Sequence, residues 1–365
     1  MERIRFVIVG SGWRSLYYVR IAKALPQVFE LCAMLCRTEE KASRMAAENG
    51  IGTTVSEEQC IAMKPDFVVV AVNKASVAEV AMHWMEMGFC VLSETPAALE
   101  LSILEKMWRM HKEGKRIVVN EQYRRYPLYS SLIRIAQSGI LGGNDSLNAS
   151  LAHEYHGMSL IRALLNIDCN GQFSVDARTY SFPVTETLTR NEEFRDGRIA
   201  MKDRVVATFR FADGKVAFYD FESEQYRSPI RKNTLRLQGP RGEIIDDRVY
   251  WLDGSNTGRS AEIEVSARKV RTPYDNPNLR EIEEVTSVDF NGERIYEPPF
   301  GQCCLAQDET AMAIMMRETA LYAKGIAPSP YPLEEALQDA YAMLLLRKAC
   351  ETGKEVFSDP QIWNN

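Results

Sequence analysis

Ile4-Arg5-Phe6-Val7-Ile8-Val9-Gly10-Ser11-Gly12-Trp13-Arg14-Ser15, running straight into the apolar-periodic stretch 16–24, decides the fold. Six residues rich in β-branched and aromatic types read as a buried strand, the glycine pair as a sharp turn, and residues 16–24 as an amphipathic helix. In that order the three parts are an apparatus for holding a pyrophosphate. Gly10 lets the backbone turn, Gly12 lets it approach phosphates without a Cβ in the way, and the helix N-terminus supplies N–H groups and a positive dipole end. Ser15 stands where a G-x-G-x-x-G fingerprint has its third glycine and is small enough for close helix packing. A second strand, Phe29–Leu35, ends at Cys36-Arg37-Thr38, where a doubly wound dinucleotide fold meets the adenosine ribose. The expected cofactor site therefore comprises Gly10, Ser11, Gly12, Trp13, Arg14, Arg37 and Thr38, completed by the later strand ends Ala71-Val72-Asn73 and Glu94-Thr95. A nucleoside site of methyltransferase type and plain loop glycines are the alternatives.

Outward from that stretch, bulk composition narrows the class. The chain has 365 residues and 45% hydrophobic content, enough for two domains. A net charge of −6 argues against nucleic acid or an anionic membrane as partner, since both select basic surfaces. No stretch reaches the ~18 apolar residues of a spanning helix, and the expected location is cytoplasmic. Eight scattered cysteines without a CxxC pair read as small hydrophobes in a reducing compartment, the adjacent Cys303-Cys304 included.

Up to about residue 120 strand and helix alternate: strands at 67–72, 89–92 and 116–119, helices at 77–87 and 101–111. That order predicts a parallel sheet buried on both faces. Beyond residue 145 the pattern is of strands, at 147–153, 205–211, 215–222, 234–238 and 261–266, with a hairpin signal at Asp213-Gly214 and a turn at Gly239-Pro240-Arg241-Gly242. Residues 185–203, charged and without apolar periodicity, read as a loop, and 307–324 and 333–350 as helices. The expected fold class is α/β: an N-terminal Rossmann domain with a parallel sheet, residues 1–122, and a C-terminal α+β domain with a mostly antiparallel open sheet, residues 123–365. The C-terminal helix near 333–350 is expected to pack back on the first domain.

The ordered set of motifs resembles one family. The Gly10-Ser11-Gly12 turn, the strand ending at Val72, Gly88-Phe89-Cys90-Val91-Leu92-Ser93-Glu94-Thr95-Pro96, Tyr123-Arg124-Arg125-Tyr126-Pro127, Ser138-Gly139-Ile140-Leu141-Gly142, His156 opening the helix 157–166, and Pro330-Tyr331-Pro332 follow the order seen in the Gfo/Idh/MocA oxidoreductases. The resemblance covers nearly the whole chain. It implies a nicotinamide cofactor, a sugar, polyol or cyclitol as substrate, and a second domain whose open sheet serves substrate binding and oligomer contacts, in a homodimer or homotetramer. The chain also departs from the family pattern. Glu94-Thr95-Pro96 replaces the usual Glu-Lys-Pro, Ala152 stands where an aspartate usually precedes the catalytic histidine, and Val72-Asn73-Lys74 with Val77 replaces a Thr-Pro-Asn tract and a later histidine.

Of the usual constellation the histidine remains. His156 matches the family's catalytic position and is the expected acid/base. Only four histidines occur, two of them in His153-Glu154-Tyr155-His156. A strand through 153 would point His153 and Tyr155 to one face and Glu154 to the other, so His153 and Tyr155 are favoured as helpers. His83 and His111 read as helix-surface residues. No third ligand accompanies the two histidines at a recognisable spacing, so no metal is expected. Tyr123, Arg124 and Lys74 are the expected substrate contacts, with surface cations as the competing reading. Cys36 occupies the position where NAD-selective folds carry a carboxylate, and Arg37 with Thr38 can take a 2′-phosphate. The cofactor is thus NADP(H) or NAD(H), with NADP(H) favoured. The expected activity is NAD(P)-dependent oxidation or reduction of a carbohydrate-like small molecule. A redox-neutral, NAD-dependent glycoside cleavage and a non-catalytic dinucleotide or sugar sensor are the competing readings.

Overall fold

The structure, a computed structural model, describes residues 2–364. The chain forms two compact units, Met1–Arg125 with Gln307–Ala340 and Tyr126–Ala306 with Tyr341–Asn365.

In the first unit β1 (Ile4–Val9), α1 (Ser15–Ala24), β2 (Phe29–Leu35), α2 (Glu39–Asn49), β3 (Thr53–Thr54), α3 (Glu57–Ala62), β4 (Phe67–Val70), α4 (Val77–Glu86), β5 (Val91–Ser93), α5 (Leu101–Lys112) and β6 (Ile117–Val119) follow one another. The strands lie in the order β3-β2-β1-β4-β5-β6, and every neighbouring pair is parallel. This is the doubly wound order in which ligands bind beyond the carboxyl ends of the strands, where the order reverses between β1 and β4. Continuous apolar runs explain the burial: Phe6, Val7, Ile8 and Phe67 to Val70 expose nothing to solvent. Phe6 stacks on Phe67 at 5.8 Å and meets Phe29 edge-on at 6.4 Å. Thr38 caps α2 and Ser56 caps α3, each hydroxyl accepting a backbone N–H of the first turn. The later segment 307–340 is tied in by Arg20 to Glu309 at 2.5 Å, by the Arg116 guanidinium donating to the Ala323 carbonyl at 2.6 Å, and by Lys324 to Asp66 at 3.0 Å.

The second unit opens with α6 (Pro127–Gln137), β7 (Ser146–Ser150) and α7 (Glu154–Leu165), followed by β8 (Phe173–Thr185), β9 (Ile199–Phe211), β10 (Val216–Glu222), β11 (Thr234–Gly239), β12 (Gly242–Ile245), β13 (Arg248–Leu252), β14 (Gly258–Arg271), β15 (Glu281–Phe290) and β16 (Glu293–Tyr296). The chain then passes through α8 (Gln307–Ala323) and α9 (Leu333–Thr352) to β17 (Val356–Phe357). Eleven strands make one sheet in the order β16-β15-β14-β13-β12-β11-β7-β10-β9-β8-β17. All its pairs are antiparallel except β7 with β10. Leu147, Leu237, Ile244, Val249, Ala217, Tyr219 and Phe209 fill the face toward α6 and α7. The register puts Tyr180, Phe182, Phe218, Tyr250 and Leu252 on the opposite face, where all five are exposed.

Two sequence expectations are corrected here. The segment 185–203 is a loop only over 186–198, because β8 runs to Thr185 and β9 begins at Ile199. Its polar residues pair across strands, Lys202 with Glu186 at 2.6 Å and Ser181 with Asp203, so an alternating pattern of charge hides a strand that buries little. The strand expected at 147–153 ends at Ser150, and Glu154, Tyr155 and His156 lie in the first turn of α7. Tyr219 overrides the strand reading. Its hydroxyl donates to the Ala152 carbonyl at 3.1 Å and accepts from the Glu154 N–H at 2.9 Å, which turns the chain into the helix. The eight cysteines are all free, and no helix among the described residues is long and apolar enough to cross a membrane.

Candidate functional site

The glycine turn has the form the sequence implies. Gly10 sits at φ +114° with its α-carbon so close to β4 that a Cβ would stand 2.4 Å from the Ala71 carbonyl oxygen. A side chain there collides with the neighbouring strand end, so the position demands glycine. Gly12 differs: a Cβ would meet nothing within 4 Å, so the clearance is toward open space. The first turn of α1 has no side-chain cap and no acidic residue among the described residues. Clear backbone and an uncapped helix start on the carboxyl side of β1 fit a dinucleotide pyrophosphate, and Gly10, Ser11, Gly12, Trp13 and Arg14 are the residues that would hold it. Ser15 donates its hydroxyl to the Ala71 carbonyl at 3.3 Å, which fastens the helix to β4.

Beside the turn, the ends of β5 and β6 build a buried polar group. The Glu94 carboxylate takes Arg14 Nε at 3.0 Å, the Tyr18 hydroxyl, and the Asn120 amide at 3.2 Å. Asn120 also donates to the Tyr18 oxygen at 2.8 Å. Burial and the Glu94 charge hold the Tyr18 phenol well above its ordinary value. Next to Asn120, Glu121 is fully enclosed; burial pushes its carboxyl up to about 8, with the Arg124 charge and the Tyr123 N–H opposing. Arg14 therefore fixes its guanidinium on Glu94. Arg124, expected as a substrate contact, lies in the 3-10 turn Gln122–Arg125, with its guanidinium 4.8 Å from the Tyr331 ring and 3.8 Å from the buried Asp339 carboxylate. Tyr123 is buried in the same turn. Lys74 is exposed in the loop after β4, where the Asn73 side chain accepts the Ser76 N–H at 3.1 Å. Val72 lies half-buried in that loop, and Thr95 is half-buried after β5.

At the ribose end Cys36 is buried and Arg37 exposed. Among the described residues no carboxylate pairs with Arg37, whereas the Thr38 hydroxyl is committed to capping α2, accepting from Lys41 at 3.2 Å.

The second unit carries the histidine turn. His153, in extended conformation, caps α7 without a side-chain hydrogen bond to the helix, and Glu154 follows at φ +34°, a left-handed value that only a strongly held residue adopts. The grip comes from Tyr219 on the Glu154 N–H and from Arg347, whose Nε meets Glu154 Oε1 at 3.0 Å while Nη2 pairs with Oε2. Gly157 lets the Tyr219 ring in, since a Cβ there would lie 2.7 Å from it. The result packs the His153 and His156 rings edge to face at 5.1 Å, with Tyr155 5.7 Å from His156. His156 and Tyr155 are buried and His153 half-buried. The Tyr226 hydroxyl accepts the His153 backbone N–H at 3.0 Å and lies 2.5 Å from His153 Nδ1. Strand alternation of His153 and Tyr155 thus gives way to a turn that collects His153, Tyr155 and His156 and sends Glu154 to Arg347. His83 and His111 sit on α4 and α5, bonded to Glu57 at 2.9 Å and to the Lys115 carbonyl at 3.1 Å. Sequence reasoning missed Tyr18, Asn120, Glu121, Tyr226 and Arg347. Asn120 and Glu121 carried a signal in following a strand end directly; the others are brought in from a distance.

Comparison with known proteins agrees with the fold. Residues 4–122 match the family model GFO_IDH_MocA, described as an oxidoreductase family with an NAD-binding Rossmann fold. No curated protein matches the sequence. Among solved structures, GenD2 from gentamicin A biosynthesis in complex with NAD is 15% identical with a TM-score of 0.66, covering 99% of this chain and 97% of that one. The WlbA dehydrogenase from Bordetella pertussis in complex with NADH and UDP-GlcNAcA is 16% identical with a TM-score of 0.64, covering 99% of each chain. An oxidoreductase from Agrobacterium radiobacter in complex with NAD+, L-tartaric acid and magnesium gives 12% and 0.67 over 97% of this chain and 98% of that one. At such identities these likenesses speak for the fold.

Proposed function

Taking as premise that residues 4–122 belong to the Gfo/Idh/MocA oxidoreductases, we propose that the protein is an NAD(P)-dependent oxidoreductase acting on a sugar, cyclitol or related polyol, with His156 as acid/base. The observation that carries the reading is the histidine turn: half of the chain's histidines are gathered, ring against ring, at a helix start held by Tyr219, Arg347 and Tyr226. A strained residue kept between two imidazoles is the kind of local cost that structural roles alone do not require. The structural neighbours support the substrate class: WlbA is in complex with UDP-GlcNAcA, and GenD2 is from gentamicin A biosynthesis.

Gly12 and the start of α1 hold the pyrophosphate, and the exposed Arg37 meets a 2′-phosphate, which makes NADP(H) the preferred cofactor. The nicotinamide ring supplies the site that accepts or gives hydride. In the oxidising direction His156 takes the proton of the substrate hydroxyl as that carbon loses hydride; in the reducing direction it returns the proton to the carbonyl oxygen. Glu94 keeps Arg14 aligned at the edge of the phosphate turn. The exposed apolar face of the second unit's sheet is covered by a second copy of the chain, in a homodimer or homotetramer.

The test follows nicotinamide absorbance while panels of sugars, sugar acids and cyclitols are added with each dinucleotide in turn. A substrate-dependent change with at least one panel member is expected. Saturable dinucleotide binding without any absorbance change across the panels overturns the oxidoreductase reading.

A further inference from the structure

We propose that Lys41 is a specificity-determining residue whose ammonium, together with the Arg37 guanidinium, forms a two-cation site for a phosphomonoester on the 2′-oxygen of the cofactor's adenosine ribose. The assignment rests on the dinucleotide reading above for the place of the ribose, and it adds to Arg37 the second positive charge.

Three observations carry it. First, the glycine turn and the carboxyl end of β2 are neighbours: Gly10 donates its N–H to the Leu35 carbonyl at 3.1 Å. A pyrophosphate on that turn leaves the adenosine ribose beside Cys36 and Arg37. Burial raises the Cys36 thiol above its ordinary value, and the Ser11 hydroxyl and the Lys41 charge work against that rise. The glycine turn thus reaches the thiol through Ser11, and the Lys41 charge is felt at the end of β2 although Lys41 belongs to the first turn of α2. Thr38, between the two cations, caps that helix by accepting the Lys41 N–H at 3.2 Å.

Second, the positive charge here is uncompensated. Arg37, Lys41 and Arg44 follow one another at i, i+4 and i+7, and among the described residues none of the three has a carboxylate partner, Glu39 and Glu40 of the same turn included. Other cations of the first unit are engaged within it: Arg3 with Glu30, Arg14 with Glu94, Arg20 with Glu309. In a chain of net charge −6, unpaired positive charge gathered on one short stretch is the electrostatic footprint of an anionic ligand. Third, the chemistry matches a phosphomonoester. It carries about two negative charges near pH 7, so a single guanidinium balances half of it. Arg37 offers a planar fork and Lys41 a compact point charge with three donors, and the buried Cys36 puts no carboxylate at the strand end to repel the phosphate.

Calorimetric titration of the full-length protein with adenosine 2′,5′-bisphosphate and with 5′-AMP, which differ only in the 2′-phosphate, reads the site without a nicotinamide or a substrate. The wild type is expected to bind the bisphosphate about 10-fold tighter or more. Lys41→Gln is expected to lose most of that advantage while its 5′-AMP affinity and melting temperature hold. Arg44→Gln removes the same charge a turn further along α2 and is expected to keep the advantage. A wild type that binds both nucleotides equally, or the bisphosphate not at all, overturns the proposal on the native protein alone. So does a Lys41→Gln that keeps the advantage, or an Arg44→Gln that loses as much as Lys41→Gln, since the preference is then general charge attraction. Neither nucleotide reacts, so the two readings fail separately. Equal binding leaves an NAD-dependent oxidoreductase standing, and an absorbance assay without response leaves the bisphosphate preference standing.

Discussion

Gly10 and Gly12, two residues apart, answer to different demands, and substitution separates them. Gly10→Ala places a methyl group 2.4 Å from the Ala71 carbonyl at φ +114° and is expected to cost roughly 1–3 kcal/mol, read as a lowered melting temperature. Gly12→Val meets no protein atom within 4 Å of its Cβ, so it should melt like the wild type and fail to bind dinucleotide. Retained micromolar binding in the folded valine variant counts against the phosphate assignment. His156→Ala should lose turnover by ~100-fold or more with dinucleotide affinity within a few-fold, since a positioned proton-transfer group contributes about 10²–10⁴. Glu121 supplies a pH signature. Its carboxyl is raised from the ordinary 4.5 to about 8, so the folded chain keeps a proton that the unfolded chain releases between those values. Stability from this group is fully present below 4.5 and is lost as pH rises through 8. Glu121→Gln should therefore gain stability over the wild type at about pH 9 and converge with it near pH 5; a constant offset refutes the buried neutral acid. The glycines were legible because their meaning is local. Glu121 was not, because its protonation depends on enclosure and on Arg124 and Glu94, which no short window displays.

The turn from β7 into α7 is where an element misread from sequence became the most informative part of the molecule. Alternation carried the strand three residues too far, to His153, since Ala149, Leu151 and Tyr155 keep apolar spacing that either period accommodates. What ends the strand is Tyr219, seated on β10 and admitted by Gly157. Tyr219→Phe removes both hydrogen bonds to the turn while keeping the ring. The expected cost is about 1–3 kcal/mol, because the Ala152 carbonyl and Glu154 N–H lose a buried partner. A fall in kcat should accompany it. A melting temperature and kcat both equal to wild type would show that the Glu154 conformation does not need this support. Of the parallel strands of the first unit, by contrast, β1 and β2 were legible without error and β4, β5 and β6 to within one or two residues at an end, because a strand packed on both faces writes itself as a continuous apolar run; the two-residue β3 writes no such run and was not read. In the second unit β13, whose Arg248 pairs with Glu262 of β14 on an exposed face, leaves no such run and was not read.

Across the whole molecule, an acidic chain of net charge −6 combines a doubly wound parallel sheet with an eleven-stranded sheet that exposes Tyr180, Phe182, Phe218, Tyr250 and Leu252 on one face. Sedimentation should find a homo-oligomer, and Phe182→Glu with Phe218→Glu should yield a folded monomer; a monomeric wild type removes the second copy from the account. The central claim, however, is that the chain works with a nicotinamide dinucleotide, and calorimetric titration of NADPH and NADH into the purified wild type tests it most directly. The account predicts saturable binding of one dinucleotide per chain, tighter for NADPH, with the NADPH advantage lost in Arg37→Ala. No saturable binding of either dinucleotide to the folded protein contradicts it.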